Sequence, residues 1–136
     1  MLRRTLIALG FMMAVSACDD GPTSPSDVVG ETWRLVSLQE AGSTTPVIVP
    51  DPSRYTVAFG DDDSLGVMSD CNSCGGSYAL SGSTLTVSAL ACTKVFCGDT
   101  SLDSRFTAGL QQAQTITLDD DEMTIQSAAG VLRFSN

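Results

Sequence analysis

Short apolar–polar alternations separated by turn residues are the feature that most restricts the fold of this 136-residue chain. Tyr55, Val57 and Phe59 alternate with Thr56 and Ala58, a period of two that is typical of a strand with one buried face. Similar segments recur, with Gly, Ser or Asp clusters between them, at 33–38, 65–68, 76–80, 85–87, 116–118, 123–125 and 131–134. About eight short antiparallel strands must bury one face together, so a mainly β domain built as a barrel or a strongly curved sheet is expected.

One segment has a helical period instead. Four apolar residues fall on one face of a predicted helix: Leu102, Phe106, Leu110 and Ala113. Thr100 or Ser101 is the candidate N-cap, and Asp103 lies in the first turn, where the helix dipole favours a carboxylate. The prediction is therefore an α+β domain with one helix before the last three strands.

The first 17 residues have the composition of a bacterial export signal. Arg3 and Arg4 precede an apolar run, 6–15, that is too short to span a bilayer as a finished helix. The run ends in Val-Ser-Ala-Cys, which resembles the lipobox of bacterial lipoproteins, whose cysteine is lipidated and becomes the first mature residue. We expect a lipoprotein signal peptide over 1–17 and lipidation of Cys18; a plain secretory signal is the alternative.

Residues 18–28 are expected to form a flexible tether. The segment 19–27 is rich in Asp, Ser and Pro and contains no aromatic or large apolar residue. The folded domain is expected to cover 29–136. These boundaries predict a protein of the bacterial cell envelope, anchored by N-terminal acyl chains and facing the periplasm from the inner or outer membrane, or exposed at the cell surface.

Charge excludes some partners. Without the first 17 residues, the chain has five basic and sixteen acidic residues, a formal charge of −11. This excess of acid disfavours nucleic acid, whose phosphates require Lys and Arg, and it disfavours electrostatic docking on anionic lipid. The sequence also contains no histidine, the commonest general base and metal ligand. The acidic runs 61–63 and 119–121 lack the ligand spacing of calcium loops, so we expect solvated turns and no metal site there.

Four cysteines remain once Cys18 is assigned to lipid: Cys71, Cys74, Cys92 and Cys97. An even number in a small exported domain favours disulfides. Their spacing is also close to that of a zinc ribbon, and a redox-active pair of Cys71 with Cys74 is a third interpretation. An oxidising compartment and an apolar hairpin between the two pairs favour structural disulfides.

Hairpin register predicts the pairing. A turn at 81–83 places Cys74 almost opposite Cys92, so these two are expected to bond. Cys71 then bonds to Cys97, and the two bridges are nested. A bridge between Cys71 and Cys74 would close too short a loop to constrain much of the unfolded chain.

The order of these segments resembles the META domain family, also called HslJ-like, over about residues 29–135. It runs from the tryptophan strand 33–35 through 55–60, 71–78 and 90–97 to the helix and the last strands. The most specific part is a Cys-Asn-x-x-Gly-x-Tyr core, matched with one extra residue before the glycine at Cys71, Asn72, Gly76 and Tyr78. Thr93, which begins the element 93–97, is the second match. Asp70 stands where the family commonly has glycine, and Cys74 with Cys92 looks like an added pair.

The resemblance implies a cracked β-barrel with one helix, similar to lipid-binding secretion pilot proteins, and it implies no enzymatic activity and no cofactor. Family members are linked to stress response and envelope maintenance. From the residues alone, Asn72 is expected to bond nearby backbone as a turn former, and Trp33 and Tyr78 are expected in the core. We therefore predict a monomeric, lipid-anchored, non-enzymatic binding or structural module whose partner is a hydrophobic ligand or an envelope protein. A metal-binding or thiol-redox protein that uses the four cysteines is the alternative.

Overall fold

The computed structural model describes residues 25–136. The predicted signal peptide, Cys18 and most of the predicted tether lie outside the described residues. The elements in chain order are α1 Pro25–Val28, β1 Thr32–Glu40, β2 Val47–Ile48, a 3-10 helix Pro52–Arg54, β3 Tyr55–Phe59, β4 Ser64–Ser69, β5 Asn72–Ser81, β6 Thr84–Val87, β7 Ala91–Cys92, α2 Asp103–Gln111, β8 Ala113–Asp119, β9 Glu122–Ser127 and β10 Gly130–Ser135. Neither α-helix within residues 25–136 has the length and apolar character needed to cross a membrane.

Eight antiparallel strands form a closed barrel. The hydrogen-bonded order is β1-β3-β4-β5-β6-β8-β9-β10, and β10 pairs with β1 to complete the circle. Two short strands lie outside this circle, because β2 pairs with β1 and β7 pairs with β5. The prediction of a mainly β barrel with about eight strands is confirmed.

One seam of the barrel is much weaker than the rest. β6 and β8 share a single residue pair, Thr84 with Thr115, supported by a bond from the Ile116 N–H to the Ser83 carbonyl at 2.9 Å. The β1–β10 seam, by contrast, runs from Arg34 opposite Ser135 to the other end of both strands. The crack that the resemblance implies is therefore between β6 and β8.

Packed side chains fill the barrel interior. The alternating residues of β3 are buried as the period of two predicts, and the buried side chains of the other strands join them in one core. Phe106 of α2 is fully buried and contacts Tyr55 edge-on, with ring centres 5.8 Å apart, and Phe134 at 6.1 Å. At Gly109 an added Cβ would lie 3.1 Å from Leu132, so the missing side chain allows α2 to approach the barrel closely.

The helix begins and ends differently from the prediction. Leu102 is the N-cap residue, and its N–H donates a hydrogen bond to the Tyr55 hydroxyl oxygen at 3.0 Å. Ser101 Oγ accepts a hydrogen bond from the N–H of Asp103, the first residue of the helix. Ala113, predicted on the apolar face of the helix, is instead the first residue of β8, because the apolar pattern of the helix continues into that strand. The structure also has a one-turn helix, α1, that is too short for a periodic pattern to predict.

The folded domain begins before the predicted boundary at 29. Val28 is fully buried, and its carbonyl accepts a hydrogen bond from Trp33 Nε1 at 3.3 Å. The tether was predicted to cover 18–28, and its last residues therefore belong to the domain, because α1 packs against the start of β1.

The two ends of the barrel differ in chemistry. At the end where the chain enters, which we call the turn end, lie the turns 60–63, 82–83 and 119–122, together with the C-terminal residue, whose N–H donates to the Asp121 carbonyl. Val29 bridges Phe59 at this same end. The three turns contain seven acidic residues and no basic residue. Tyr78 lies next to these turns, and its burial is the main cause that raises the pKa of its hydroxyl. The carboxylates at 61–63 raise this pKa further. The opposite end, which we call the helix end, is covered by α2.

Candidate functional site: a clamped hydrophobic loop

A loop at the helix end exposes two large apolar side chains. The loop, Thr93–Cys97, follows β7 and leaves Phe96 80% exposed and Val95 59% exposed. Every other aromatic side chain within residues 25–136 is buried. Single exposed apolar residues are common on protein surfaces, so it is the adjacency of Val95 to the one exposed aromatic ring of residues 25–136 that makes this loop the candidate site.

Asn72 holds this loop by pairing with a peptide unit inside it. The side chain is 2% exposed, and its Nδ2 donates to the Val95 carbonyl at 2.9 Å while its Oδ1 accepts from the Val95 N–H at 2.8 Å. Oδ1 also accepts from the Thr93 hydroxyl at 3.0 Å, and Nδ2 lies 3.1 Å from an Asp103 oxygen. The role of Asn72 is structural, as expected, but the expectation of nearby backbone partners is wrong: it bonds residues more than twenty positions away.

The four cysteines lie around the same loop. The structure places them in two disulfide pairs, Cys71 with Cys97 and Cys74 with Cys92, at Cα–Cα distances of 5.6 and 4.0 Å. These are the pairs that the hairpin register predicts. Within the described part of the chain, no group of three or more Cys, His, Asp or Glu residues is arranged to hold a metal ion.

The register differs in detail from the prediction. The hairpin turn consists of two residues, 82–83, because Ser81 pairs with Thr84. Gly82 has a φ of +60°, which an L side chain rarely adopts, so a glycine suits this tight turn. The register then shifts by one position between β6 and β7, and this shift brings Cys74 opposite Cys92. The expected pairing therefore arises from a shorter turn followed by a one-residue shift.

The backbone of the loop continues the β5–β7 pairing. The Thr93 N–H donates to the Ser73 carbonyl at 3.0 Å, and the Ser73 N–H donates to the Thr93 hydroxyl at 3.0 Å. Thr93, Asn72 and both disulfides therefore restrict the loop at both ends, and its exposed side chains are presented on a fixed backbone.

A groove of about 620 Å³ separates the loop from α2. Its walls include Leu90, Val95 and Phe96 on the loop side, and Asp103, Thr107 and Gln111 on the helix side. Gln111 closes one end through a bond from the Leu90 N–H to its Oε1 at 3.4 Å. Within residues 25–136, β7 has a strand neighbour on one side only, and its residue Cys92 lines the groove.

Lys94, the only lysine of the sequence, is exposed at the margin of this groove. It makes no ion pair with any residue in the part of the chain that the structure describes. The groove thus combines an apolar wall, an unpaired strand edge and one free cation.

The remaining family-motif residues lie outside the loop. Gly76 faces the segment 88–90, and an added Cβ would lie 3.0 Å from both Leu90 Cδ2 and Ser88 Oγ. Tyr78 is buried at the turn end, where its hydroxyl donates to the Gly60 carbonyl at 2.8 Å. The structure therefore brings Asn72 and Thr93 to the site and leaves Gly76 and Tyr78 with roles in packing.

Asp70 has the backbone conformation that explains the glycine expected at its position. Its φ is +58°, a region that glycine adopts freely and that Asp tolerates better than most residues. A hydrogen bond with Ser101 and the ion pair with Arg54, at 2.7 Å, lower the pKa of the Asp70 carboxyl, although burial opposes them. The turn geometry at Asp70 is therefore retained.

Sequence reasoning missed Val95, Phe96 and Asp103 as members of the site. The exposure of Val95 and Phe96 depends on where Asn72 and Cys97 hold the loop, and no local pattern reports this. The contact between Asp103 and Asn72 depends on the position of α2 across the barrel end.

Solved structures share the fold at low sequence identity. A solution structure of a protein from Burkholderia xenovorans has a TM-score of 0.65 at 19% identity, over 93% of this chain and 97% of that chain. A second solution structure gives a TM-score of 0.63 at 24% identity, over 83% and 94%. The crystal structure of a DUF4847 family protein from Bacteroides vulgatus ATCC 8482 gives 0.59 at 15% identity, over 81% and 94%. Each likeness concerns the fold alone.

Among curated protein sequences, none is similar enough to count as a relative of this chain. The family model of the META domain matches residues 26–136, a range that begins beside the buried Val28 and includes the loop, both disulfides and all barrel strands. The chain therefore belongs to the META domain family.

Proposed function

We propose that this protein is a lipid-anchored, non-enzymatic binding module of the bacterial cell envelope, and that the Thr93–Cys97 loop binds an apolar segment of another envelope protein. The observation that carries the proposal is the 80% exposure of Phe96 on a loop held by two disulfides and a buried asparagine. An aromatic anchor on a preorganised backbone loses little conformational entropy on binding.

The core favours a protein partner over an acyl chain. Large side chains such as Trp33, Phe106 and Phe134 fill the barrel interior, so an acyl chain has no space there. An extended peptide in the groove can hydrogen-bond to the open edge of β7, and its apolar side chains can contact Val95 and Phe96. The groove therefore suits an extended apolar peptide.

The two barrel ends support an orientation. The N-terminal part of the described chain leaves the barrel at the turn end, whereas the loop lies at the helix end. If Cys18 carries the lipid, the acidic turn end faces the membrane, and anionic lipid repels it. The loop then points away from the membrane, toward partners in the periplasm or at the cell surface. A role in envelope maintenance under stress belongs to the same proposal.

Site-specific crosslinking tests the binding surface. We would place the photoreactive residue p-benzoylphenylalanine at Phe96 in the full chain, expressed in bacteria, and as a matched control at Ile48, which is 68% exposed on β2. The expected result is a discrete protein adduct from position 96 that is absent from position 48. Equal adducts from both positions, or none from position 96, would contradict the proposal.

Metabolic labelling tests the anchor separately. We expect labelled palmitate on the wild-type protein and in its membrane fraction, and loss of both in Cys18→Ser, because the thiol that carries the lipid is gone. Label that persists in the variant, or a wild-type protein without label, would contradict lipidation at Cys18.

A further inference from the structure

The two disulfides differ in their access to solvent. Cys71 is exposed and Cys97 is half-buried, whereas in the second bridge Cys74 is only 7% exposed, among the core residues, and Cys92 is half-buried. A thiolate attacks a disulfide along the axis of the S–S bond, so it must reach one of the two sulfur atoms directly. Cys71 is the most exposed residue of the four cysteines, so a thiolate reaches the Cys71–Cys97 bridge more readily than the bridge of buried Cys74 with half-buried Cys92.

The sulfur of Cys97 is surrounded so that it can leave as a thiolate. It accepts a hydrogen bond from the Cys71 N–H at 3.2 Å, and Asn72 Nδ2 lies 3.4 Å away. N–H donors stabilise a thiolate more than a neutral sulfur and lower its pKa, which makes it a better leaving group. The Val95 carbonyl oxygen lies near both sulfurs, 3.8 Å from Cys71 and 3.5 Å from Cys97, so it does not distinguish them. The Cys71 N–H, which donates to the Cys97 sulfur, does distinguish them, while Asn72 Nδ2 directs its two hydrogens mainly to the Val95 carbonyl and Asp103.

Nearby charges permit the approach of an anion in a domain that is otherwise acidic. Asp70 is next to Cys71 in sequence, but its carboxylate is paired with Arg54 at 2.7 Å. Lys94, within the loop, has no ion pair among the described residues, while the Asp103 carboxylate lies on the Cys97 side, 3.1 Å from Asn72 Nδ2. An incoming thiolate that approaches Cys71 therefore meets fewer acidic residues than at the turn end, whose three turns contain seven acids and no basic residue.

We propose that the Cys71–Cys97 disulfide is a thiol-exchange site for a dithiol reductant, with Cys71 as the attacked sulfur and Cys97 as the leaving group. A thiolate of the dithiol forms a bond to Cys71 Sγ, the Cys71–Cys97 bond breaks, and its electron pair goes to Cys97 Sγ. The second thiol of the reductant then attacks the reductant's own sulfur in the mixed disulfide and releases the Cys71 thiolate. The reductant loses two electrons and becomes a disulfide, and its two protons end on Cys71 and Cys97.

The exchange would remove one covalent restraint from the loop. Asn72 and the Cys74–Cys92 bridge still hold its first residues, while its end at Cys97 becomes free. This inference goes beyond the proposed binding function and does not depend on it, since it concerns the reactivity of the disulfide itself.

A reduction time course tests the selectivity, with the second disulfide as an internal control. The mature wild-type protein would be treated with limiting dithiothreitol, quenched with acid, alkylated and mapped by mass spectrometry. We expect Cys71 and Cys97 to be labelled at least about tenfold faster than Cys74 and Cys92. Equal rates, or faster labelling of the second pair, would overturn the proposal.

A monothiol tests the direction of attack. With reduced glutathione and an acid quench, the mixed disulfide is expected mainly on Cys71, because Cys97 leaves. A glutathione adduct found mainly on Cys97, or equally on both residues, would overturn the assignment of Cys97 as the leaving group.

Discussion

At the scale of a single residue, the side chain of Asn72 pairs with the loop backbone as a neighbouring strand would. Its amide offers a donor and an acceptor at the spacing of a peptide group, and both are used by Val95. A buried amide is stable only when its polar atoms are bonded, and Thr93 and Asp103 supply further partners. Asn72 therefore holds the middle of the loop, between the restraints that Thr93 and the two disulfides place on its ends.

We predict that Asn72→Ala lowers the free energy of unfolding by about 2 kcal/mol, because it removes several bonds from buried polar groups. Urea denaturation with the disulfides intact measures this, and hydrogen exchange at the Val95 amide should become faster. The matched control is Ser73→Ala on the same strand, where the side chain is exposed, with an expected change within about 0.5 kcal/mol. Equal stability of the two variants would show that Asn72 does not hold the loop.

Asp70→Asn should reveal a charge effect that depends on pH. The folded-state pKa of Asp70 is lowered, so its carboxylate stabilises the fold above the unfolded value of 3.8, and this contribution is lost as the pH falls through the lowered pKa. Asn keeps the preference for positive φ. Because Arg54 is 54% exposed, we expect a loss of only about 1 kcal/mol at pH 7. Denaturation curves of wild type and variant should converge at acid pH, once the pH has fallen through the lowered pKa of Asp70 and the carboxylate is protonated. A difference that persists there would assign the effect to something other than charge.

At the scale of elements, the β1–β10 seam requires a residue without a side chain. Gly130 begins β10 opposite Glu40, with a φ of +142°, and an added Cβ would overlap the Gln39 carbonyl oxygen. The neighbouring backbone cannot move away without losing pairs of the seam. Gly130 is therefore needed both for its conformation and for the close approach of β1.

Gly130→Ala should destabilise the protein by about 3 kcal/mol, since strain and steric overlap act together. Gly66→Ala is the control, because Gly66 lies in β4 with ordinary φ and no atom within 4 Å of an added Cβ. We expect this control to be neutral or slightly stabilising. Thermal unfolding of both variants gives the comparison, and similar melting temperatures would contradict the steric argument.

At the scale of the whole molecule, closure of the barrel is uneven. The β1–β10 seam is paired from Arg34 to Glu40, with one register shift between Leu35 and Ser37, whereas β6 and β8 share the one residue pair Thr84–Thr115, beside the bond from the Ile116 N–H to the Ser83 carbonyl. Parts of a fold with few backbone bonds open locally, at a lower free energy than global unfolding. The barrel should therefore open first between β6 and β8.

Native-state hydrogen exchange measures this difference. We predict that the amides of Thr115 and Ile116 exchange through local opening, at an apparent free energy at least about 2 kcal/mol below that of Leu38 in the β1–β10 seam. Exchange with the same free energy at both seams would show that the barrel opens as one unit.

Much of the fold could be predicted because its strands are half-buried. The predicted strand at 55–59 coincides with β3, Tyr55–Phe59, since burial of one face imposes a period of two. β2 and β7 were not predicted, because two residues carry no period. Ala113 was assigned to the helix because an apolar residue at the end of α2 also fits the start of β8. The cysteine pairs were predicted, and Asn72 and Thr93 were named as positions that match the family motif, but the loop that these residues hold in place was not predicted.

Periodicity, turn residues and spacing can be read along the chain, so they predicted the β class, the helix and the favoured cysteine pairing, while the order of the motifs indicated the family. The position of the weak seam, the gathering of the acidic turns at the end where the domain starts, and the exposure of Phe96 at the other end became known only from the folded arrangement. These depend on barrel closure, which brings distant residues together. Asn72 and Val95 become partners only when that closure places β5 beside the loop.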